Sequence, residues 1–411
     1  MNQGNALVFN EQVVKGSKCA LDAIAREGAQ RMLQQALEAE VADYLTRHED
    51  VVDAEGHRLV VGNGRHRERQ VLTGVGRLTV RQPRVNDRRP EKHFTSKILP
   101  PYMRKSPRLE ALIPALYLKG ISTGQFPEAL EAILGPDAAG LSATTVTRLL
   151  KEWQKDYKEW NTRDLSDRKY VYWWADGIHF NVRLEEDRTC ILVLIGTLAD
   201  GRKELIAAVD GFRESKLSWQ DLLSSLKRRG LQQSPKLAVG DGALGFWAAL
   251  REEFPQAAEQ RCWVHKTANV LDKMPKRTQG RAKDKLHDMY LAGTKAEALM
   301  AFDDFMDLYQ AKYPKACECL QKDKDALFAF YDFPAEHWQH IRSTNPIEST
   351  FATVRHRTKR TKGNATRAAT LAMVFQLCRE AERHWRRLNG YKFITKVMNG
   401  VVFVDGIEKV A

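Results

Sequence analysis

Asp176 closes the apolar run Val171-Tyr-Trp-Trp-Ala175, Asp241 closes Lys236-Leu-Ala-Val-Gly240, and Glu348 opens a helical pattern at Thr344-Asn-Pro-Ile-Glu348. Carboxylates are hard oxygen donors, and acids converging on one edge of a sheet suit divalent cations such as Mg²⁺ and the phosphoryl transfer of a nuclease or strand transferase. Each acid alone also has a plainer reading. Asp176-Gly177 and Asp241-Gly242 are turn dipeptides, while Asn345 as N-cap, Pro346 at N1 and Glu348 at N3 describe an ordinary helix start.

The rest of the chain must bring these acids together. At 411 residues it is long enough for two to four domains, and 43% hydrophobic content supplies packed cores. A formal charge of +13, from 65 basic against 52 acidic residues, points to a polyanionic partner, with nucleic acid first. Cys19, Cys190, Cys262, Cys317, Cys319 and Cys378 are scattered, and no apolar run is long enough to cross a bilayer or to serve as a secretory signal. The expectation is reduced thiols in the cytosol and no membrane partner.

Apolar residues from Leu21 to Leu45, including Met32, recur at helical spacing and predict an amphipathic helix over about 12–46. Arg65 to Arg69 leads into Gln70–Thr73 and then Arg77–Arg81, two strands around a glycine-containing turn, with Arg77, Thr79 and Arg81 on one face. That face suits phosphates or simple solvation. Residues 106–153 read as a helix-turn-helix. One helix carries Leu109, Ile113 and Tyr117, a second starts at Gly120-Ile-Ser-Thr123, and a third is capped by Ser142, leaving Thr144, Thr147, Arg148 and Lys151 available to a DNA groove.

From Tyr170 the texture changes to strands: 170–175, 178–183, 190–198 and 203–209, a helix near 216–229, strand 236–240, helix 244–254 and strand 260–265. This succession describes a mixed α/β sheet of ribonuclease H type. Between about 267 and 340, Leu286, Met289, Tyr290, Leu299, Phe302, Phe305, Met306 and Leu308 write helical apolar faces. Beyond Glu348, the residues Arg355, Lys359 and Lys362 extend a basic stripe along the same helix face, placed to meet substrate phosphates. Trp338 fits either a base-stacking platform or a core aromatic.

Together with Asn63-Gly-Arg65, Arg81-Gln-Pro-Arg84, Gly120-Ile-Ser-Thr123, Arg229-Gly-Leu231, Cys262-Trp-Val-His265 and Phe333-Pro-Ala-Glu-His-Trp338, the acids give a chain that resembles the IS256-family, or Mutator-type, bacterial DDE transposases over nearly its whole length. The resemblance implies that Asp176, Asp241 and Glu348 are catalytic and hold Mg²⁺, with Mn²⁺ able to substitute. It implies a helical insertion between the second and third acids, which fits separations of 241 − 176 = 65 and 348 − 241 = 107 residues. Cys262 and His265 match the family's Cys-x-x-His signature and, with Trp338, are expected to position substrate. The implied partners are double-stranded DNA, as terminal inverted repeats and target, and a second copy of the chain; the implied location is the bacterial cytoplasm, at the nucleoid. A transposase-derived DNA-binding protein or repressor without catalysis is the alternative.

The expected organisation is an α/β protein. An amphipathic helix and basic hairpin (1–95) and a helix-turn-helix-like DNA-binding region (96–165) precede a ribonuclease H-like core (166–266). An all-helical insertion (267–340), completing core helices (341–395) and a tail (396–411) follow.

Overall fold

The structure is a computed structural model that describes residues 20–119, 121, 125–134, 143–180, 189–211, 214–242, 244–360 and 366–409. Two compact units meet in sequence at Thr147/Arg148.

In the first unit, helix α1 (Ala20–Thr46) packs against strands β1 (Val60–Arg65), β2 (Arg69–Thr73), β3 (Gly76–Val80) and β4 (Pro83–Asp87). The predicted hairpin is β2–β3, paired from Arg69↔Val80 to Thr73↔Gly76, and Gly76 supplies the positive φ of its turn. An outer pair, β1–β4, was not anticipated. The edge of β3 is covered by α1. Gln30 and Gln34 accept hydrogen bonds from the backbone N–H groups of Thr79 and Arg81 at 3.2 and 3.0 Å, so polar residues of the helix complete the sheet edge. Leu37, Val71, Val80 and Leu99 form the core, whereas Leu21 and Met32, assigned to the apolar face by spacing, are exposed. Helices α2 (Pro107–Leu118) and α3 (Phe126–Leu134) follow, and α4 (Ala143–Asn161) runs through the division between units. The second expected helix start, at 120–123, and the Ser142 cap fall outside the described residues except for Ile121.

The second unit is built on a five-stranded sheet of order β7-β6-β5-β8-β9. Its strands are β5 (Tyr170–Phe180), β6 (Thr189–Leu198), β7 (Lys203–Gly211), β8 (Leu237–Gly240) and β9 (Ala258–Arg261). β5, β6 and β7 pair antiparallel, and β8 and β9 add in parallel through α5 (Lys216–Arg228) and α6 (Leu244–Glu253). Side chains alternate across β5. Trp173 and Ala175 join the core formed with Trp219, Leu222, Phe246 and Trp247 of α5 and α6. On the other face the Tyr172 hydroxyl lies 2.8 Å from His337 Nδ1, and Trp174 Nε1 donates to His340 O at 2.9 Å. Burial on both faces explains the unbroken apolar run at 171–175.

Helix α7 (Trp263–Leu271) leaves β9, and helices α8 (Lys276–Leu291), α9 (Lys295–Tyr309), α10 (Pro314–Gln321) and α11 (Lys324–Leu327) follow. Leu286, Met289, Phe302 and Phe305 are buried as their spacing predicts, but Leu308 is 58% exposed. The root of this helical segment is fastened to the sheet. Gln260 Nε2 and Trp263 Nε1 both donate to Leu327 O, at 3.0 and 2.7 Å, and Lys266 and Arg261 converge on Asp323. After α12 (Trp338–Ile341), helix α13 (Asn345–Arg360) packs on β5 and α14 (Arg367–Glu382) on β7. Helix α15 (Ile394–Met398) and a small hairpin, β10 (Phe403–Val404) with β11 (Ile407–Glu408), end the described chain.

Candidate active site

Asp176 does not end its strand. β5 continues through Asp176↔Val193 and Gly177↔Leu192 to Phe180, so Asp176-Gly177 is no turn and the expected strand 170–175 runs on without a break into 178–180; the rest of the expected strand 178–183 lies outside the described residues. The parallel neighbour does stop, its last pair being Ala175↔Gly240. Asp176 and Asp241 therefore follow adjacent paired residues at the point where β5 outruns β8. Burial, with the Asp241 carboxylate second and His265 opposing, pushes Asp176 up to about 7. Its Oδ1 accepts the Gly177 N–H at 2.8 Å. Gly242 has a packing reason beyond its turn, because a Cβ there would lie 1.6 Å from an Arg261 guanidinium nitrogen.

Glu348 reaches the same region from α13. Thr344, rather than Asn345, is the capping residue: its carbonyl accepts the Glu348 N–H at 3.0 Å, the first i→i+4 bond of the helix. Its hydroxyl oxygen lies 3.1 Å from Glu348 Oε1 and 3.3 Å from both Cys262 Sγ and His265 Nδ1. A hydroxyl has one proton, so it donates to one of these at a time and accepts from another. Cys262 is wholly buried at the N-cap of α7, so the strand expected to reach 265 ends at Arg261. Burial raises the Cys262 thiol, but hydrogen bonds from His265 and Thr344 outweigh it and hold the thiol below its ordinary value. The partnership with Cys262 raises His265 to about 9 against the effect of burial, and Asp176 and Glu348 add to it. His265 Nδ1 is 3.6 Å from Glu348 Oε1. A protonated His265 thus stands among carboxylates from both the sheet and α13.

Sequence reasoning missed Glu214, in the loop before α5. It accepts a hydrogen bond from His179 Nε2 at 3.1 Å, and burial followed by Asp241 raises its carboxyl. Its carboxylate crosses the bare Cα of Gly177, where a Cβ would come 2.3 Å from Glu214 Oε1. The available signal was a glycine inside a strand, which marks a close approach. Ligand atoms of His179, Cys190 and Glu214 lie within 4.8 Å of one another, as do those of Cys262, His265 and Glu348.

The other predicted residues scatter. Thr147, Arg148 and Lys151 are exposed on α4, and the side chain of Thr144 lies outside the described residues. Arg355 is exposed on α13 with its guanidinium 5.8 Å from the Phe351 ring centroid, whereas Arg357 is buried; the Lys359 side chain and Lys362 lie outside the described residues. Trp338 is committed to packing. It meets Tyr331 at 4.8 Å and Phe330 at 5.5 Å between ring centroids, and its indole N–H donates to Phe333 O at 2.8 Å. The ring is half-buried, with these contacts holding it against the helical segment. Cys190, Cys262, Cys317, Cys319 and Cys378 are free cysteines; Cys19 lies outside the described residues. Among the described residues no helix is long and apolar enough to cross a membrane.

Fold and site together define a mixed α/β protein that gathers acids from distant parts of its chain at one end of its sheet. The chain belongs to the Mutator family of transposases, whose family model matches residues 3–388. It is 51% identical over 298 residues to the transposase for insertion sequence element IS6120 of Mycolicibacterium smegmatis, covering 72% of this chain and 92% of that one. It is 30% identical over 301 residues to the transposase for insertion sequence element IS256 in transposon Tn4001 of Staphylococcus aureus, covering 71% and 74%. A chain of a cryo-EM structure of the simian T-cell lymphotropic virus intasome in complex with PP2A regulatory subunit B56 gamma aligns at a TM-score of 0.18 with 14% identity. That alignment covers 51% of this chain and 63% of that one, and is too weak to carry an argument.

Proposed function

We propose that the protein binds the terminal inverted repeats of an insertion sequence and catalyses metal-dependent DNA cleavage and strand transfer, with Asp176, Asp241 and Glu348 as the catalytic acids. The observation that carries this reading is the parallel register Ala175↔Gly240, which aligns the two aspartates beside a helix that delivers Glu348. The antiparallel β7-β6-β5 ladder extended in parallel by β8 and β9 supports a ribonuclease H-like core.

The three acids fit a hard cation. They are all oxygen donors, and Asp176 is held back from ionising by burial and by its neighbour Asp241, a condition that a divalent cation relieves. Asp176, Asp241 and Glu348 would hold Mg²⁺, or Mn²⁺ in its place; bound there, it supplies charge stabilisation at a phosphate and activation of water or a 3′-hydroxyl. Thr344 orients the Glu348 carboxylate through its 3.1 Å contact. His265, protonated through the neutral range, offers a proton donor to a phosphate oxygen and offsets the negative charge of the acids. Exposed Arg148, Lys151 and Arg355 serve as DNA-backbone contacts. Synapsis of two DNA ends calls for a dimer on DNA, acting in the cytoplasm.

The test is Mg²⁺-dependent cleavage and strand transfer on labelled DNA carrying the element ends, comparing the native protein with Asp176→Ala, Asp241→Ala and Glu348→Ala, each checked for folding and DNA binding. Loss of chemistry with binding retained supports the reading. Full activity in all three variants sinks it.

A further inference from the structure

A second basic feature lies away from the acids, where the β6–β7 turn meets the C-terminal end of α14. A cleft of about 520 Å³ is lined by Arg168, Arg202, Lys203, Arg379 and Arg383, with Trp385 in its wall. Against these five cations the lining holds two acids, Glu204 and Glu382, and both are engaged. Glu382 accepts from Arg379 and from the Leu205 N–H, and Glu204 lies 3.8 Å from Arg168 and 3.9 Å from Arg163. Asp167, Asp200 and Glu380 at its edge pair with Arg168, Arg202 and Arg383, so the positive surplus of the cleft rests on buried Lys203 and on cations held only in surface pairs.

Lys203 makes that surplus specific. It is only 9% exposed, its ammonium donates to Arg386 O at 2.6 Å and stands 5.8 Å from the Trp174 ring centroid, and among the described residues it has no ion pair. A buried cation without a counter-charge is costly, and an anion entering the cleft would supply one. Arg202 and Arg383 stand at the rim with side chains 72% and 75% exposed; their pairs with Asp200 and Glu380 are surface pairs that yield readily to a stronger acceptor.

We propose that this cleft is a second DNA-backbone site, which binds phosphodiesters of the duplex other than the one being cut. The proposal rests on the reading that the chain acts on DNA. The cleft is far larger than one phosphate, and exposed Arg386 and Arg387 continue the positive surface beyond it. Its distance from the acids follows from the register. Leu198, in the lining, pairs with Tyr170 at the start of β5, and Asp176 lies 176 − 170 = 6 positions further along that strand. At about 3.3 Å per residue the cleft lies roughly 20 Å from the acids, the span of about six base pairs at 3.4 Å each.

The experiment measures duplex affinity against salt for the native full-length chain and for Arg202→Ala/Arg383→Ala, using an element-end duplex that extends well beyond six base pairs on both sides of the cut. Each lost phosphate contact lowers the slope of log K against log salt by about 0.9, so the double variant should lose about 2. Arg202→Lys/Arg383→Lys should restore it. An unchanged slope in the alanine variant overturns the proposal. So does saturable binding of inorganic phosphate, followed by calorimetry and lost in the alanine variant, if the DNA slope is unaffected, because the cleft would then take free anions. Asp176→Ala should keep the native slope. A slope difference in a protein that cleaves no DNA supports the cleft while sinking the proposed chemistry, which separates the two ideas.

Discussion

Replacing Asp176 by Asn should stabilise the protein when no divalent cation is present. The substitution keeps the shape and the oxygen that accepts the Gly177 N–H, and removes a buried charge facing Asp241. In the unfolded chain this carboxyl ionises near its ordinary value of 3.8, whereas in the fold it holds its proton up to about 7. Between those values the folded state binds more protons than the unfolded state, so stability contributed by the group is fully present below 3.8 and is lost as pH rises through about 7. At 1.36 kcal/mol per pH unit the loss is about 4 kcal/mol. In EDTA, Asp176→Asn should therefore match the native protein near pH 4 and exceed it by up to about 4 kcal/mol at pH 8 in urea unfolding followed by circular dichroism. Mg²⁺ should raise the native midpoint at pH 8 and move the variant less. If the variant is the less stable protein at pH 8 in EDTA, the account of a strained acid pair is wrong.

Gly177→Ala would place a Cβ 2.3 to 2.7 Å from three side-chain atoms of Glu214 and so displace the carboxylate from His179. The lost hydrogen bond, about 0.5–1.5 kcal/mol, is offset by the 0.4–1 kcal/mol that alanine gains over glycine through the unfolded chain, so stability should change by less than about 1 kcal/mol. A crystal structure of the variant with the His179–Glu214 bond intact contradicts this. Asp323→Ala should be far more damaging, because it strips the acid from buried Lys266 and from Arg261 at the root of the helical segment. The expected loss is about 3–5 kcal/mol in urea unfolding, and a loss below about 1 kcal/mol would show that Asp323 is not the anchor.

Much of the second unit was legible because burial writes its own period. The runs 190–198, 203–209 and 236–240 became β6, β7 and β8 within a residue or two, and Leu217 to Leu226 became α5. Errors arose where a local preference met a distant partner. Asp176-Gly177 reads as a turn by composition, but the antiparallel ladder with β6 keeps it extended. Asn345 and Pro346 look like a helix start, yet the first helical bond falls on Thr344, whose side chain also contacts Cys262 and His265 some 80 residues earlier. That Asp176 and Asp241 follow neighbouring strand residues was legible in the apolar runs before them, although only β8 ends there. Glu214 was not, because its place depends on a missing Cβ 37 residues away, at Gly177.

The distance along the chain between the first and third acids also sets a clock. Asp176 and Asp241 can pair as soon as β8 joins the sheet, but Glu348 is made 348 − 176 = 172 residues after Asp176. At a synthesis rate of about 5–20 residues per second, the 348 − 241 = 107 residues from the second acid to the third take about 5–20 seconds, during which a growing chain carries two aspartates and no third acid. The half-made protein has its first unit complete and its acid cluster still incomplete. Chains that stop early, whether by frameshift or by proteolysis, are held to the same limit: they can retain the N-terminal unit but never assemble the three acids.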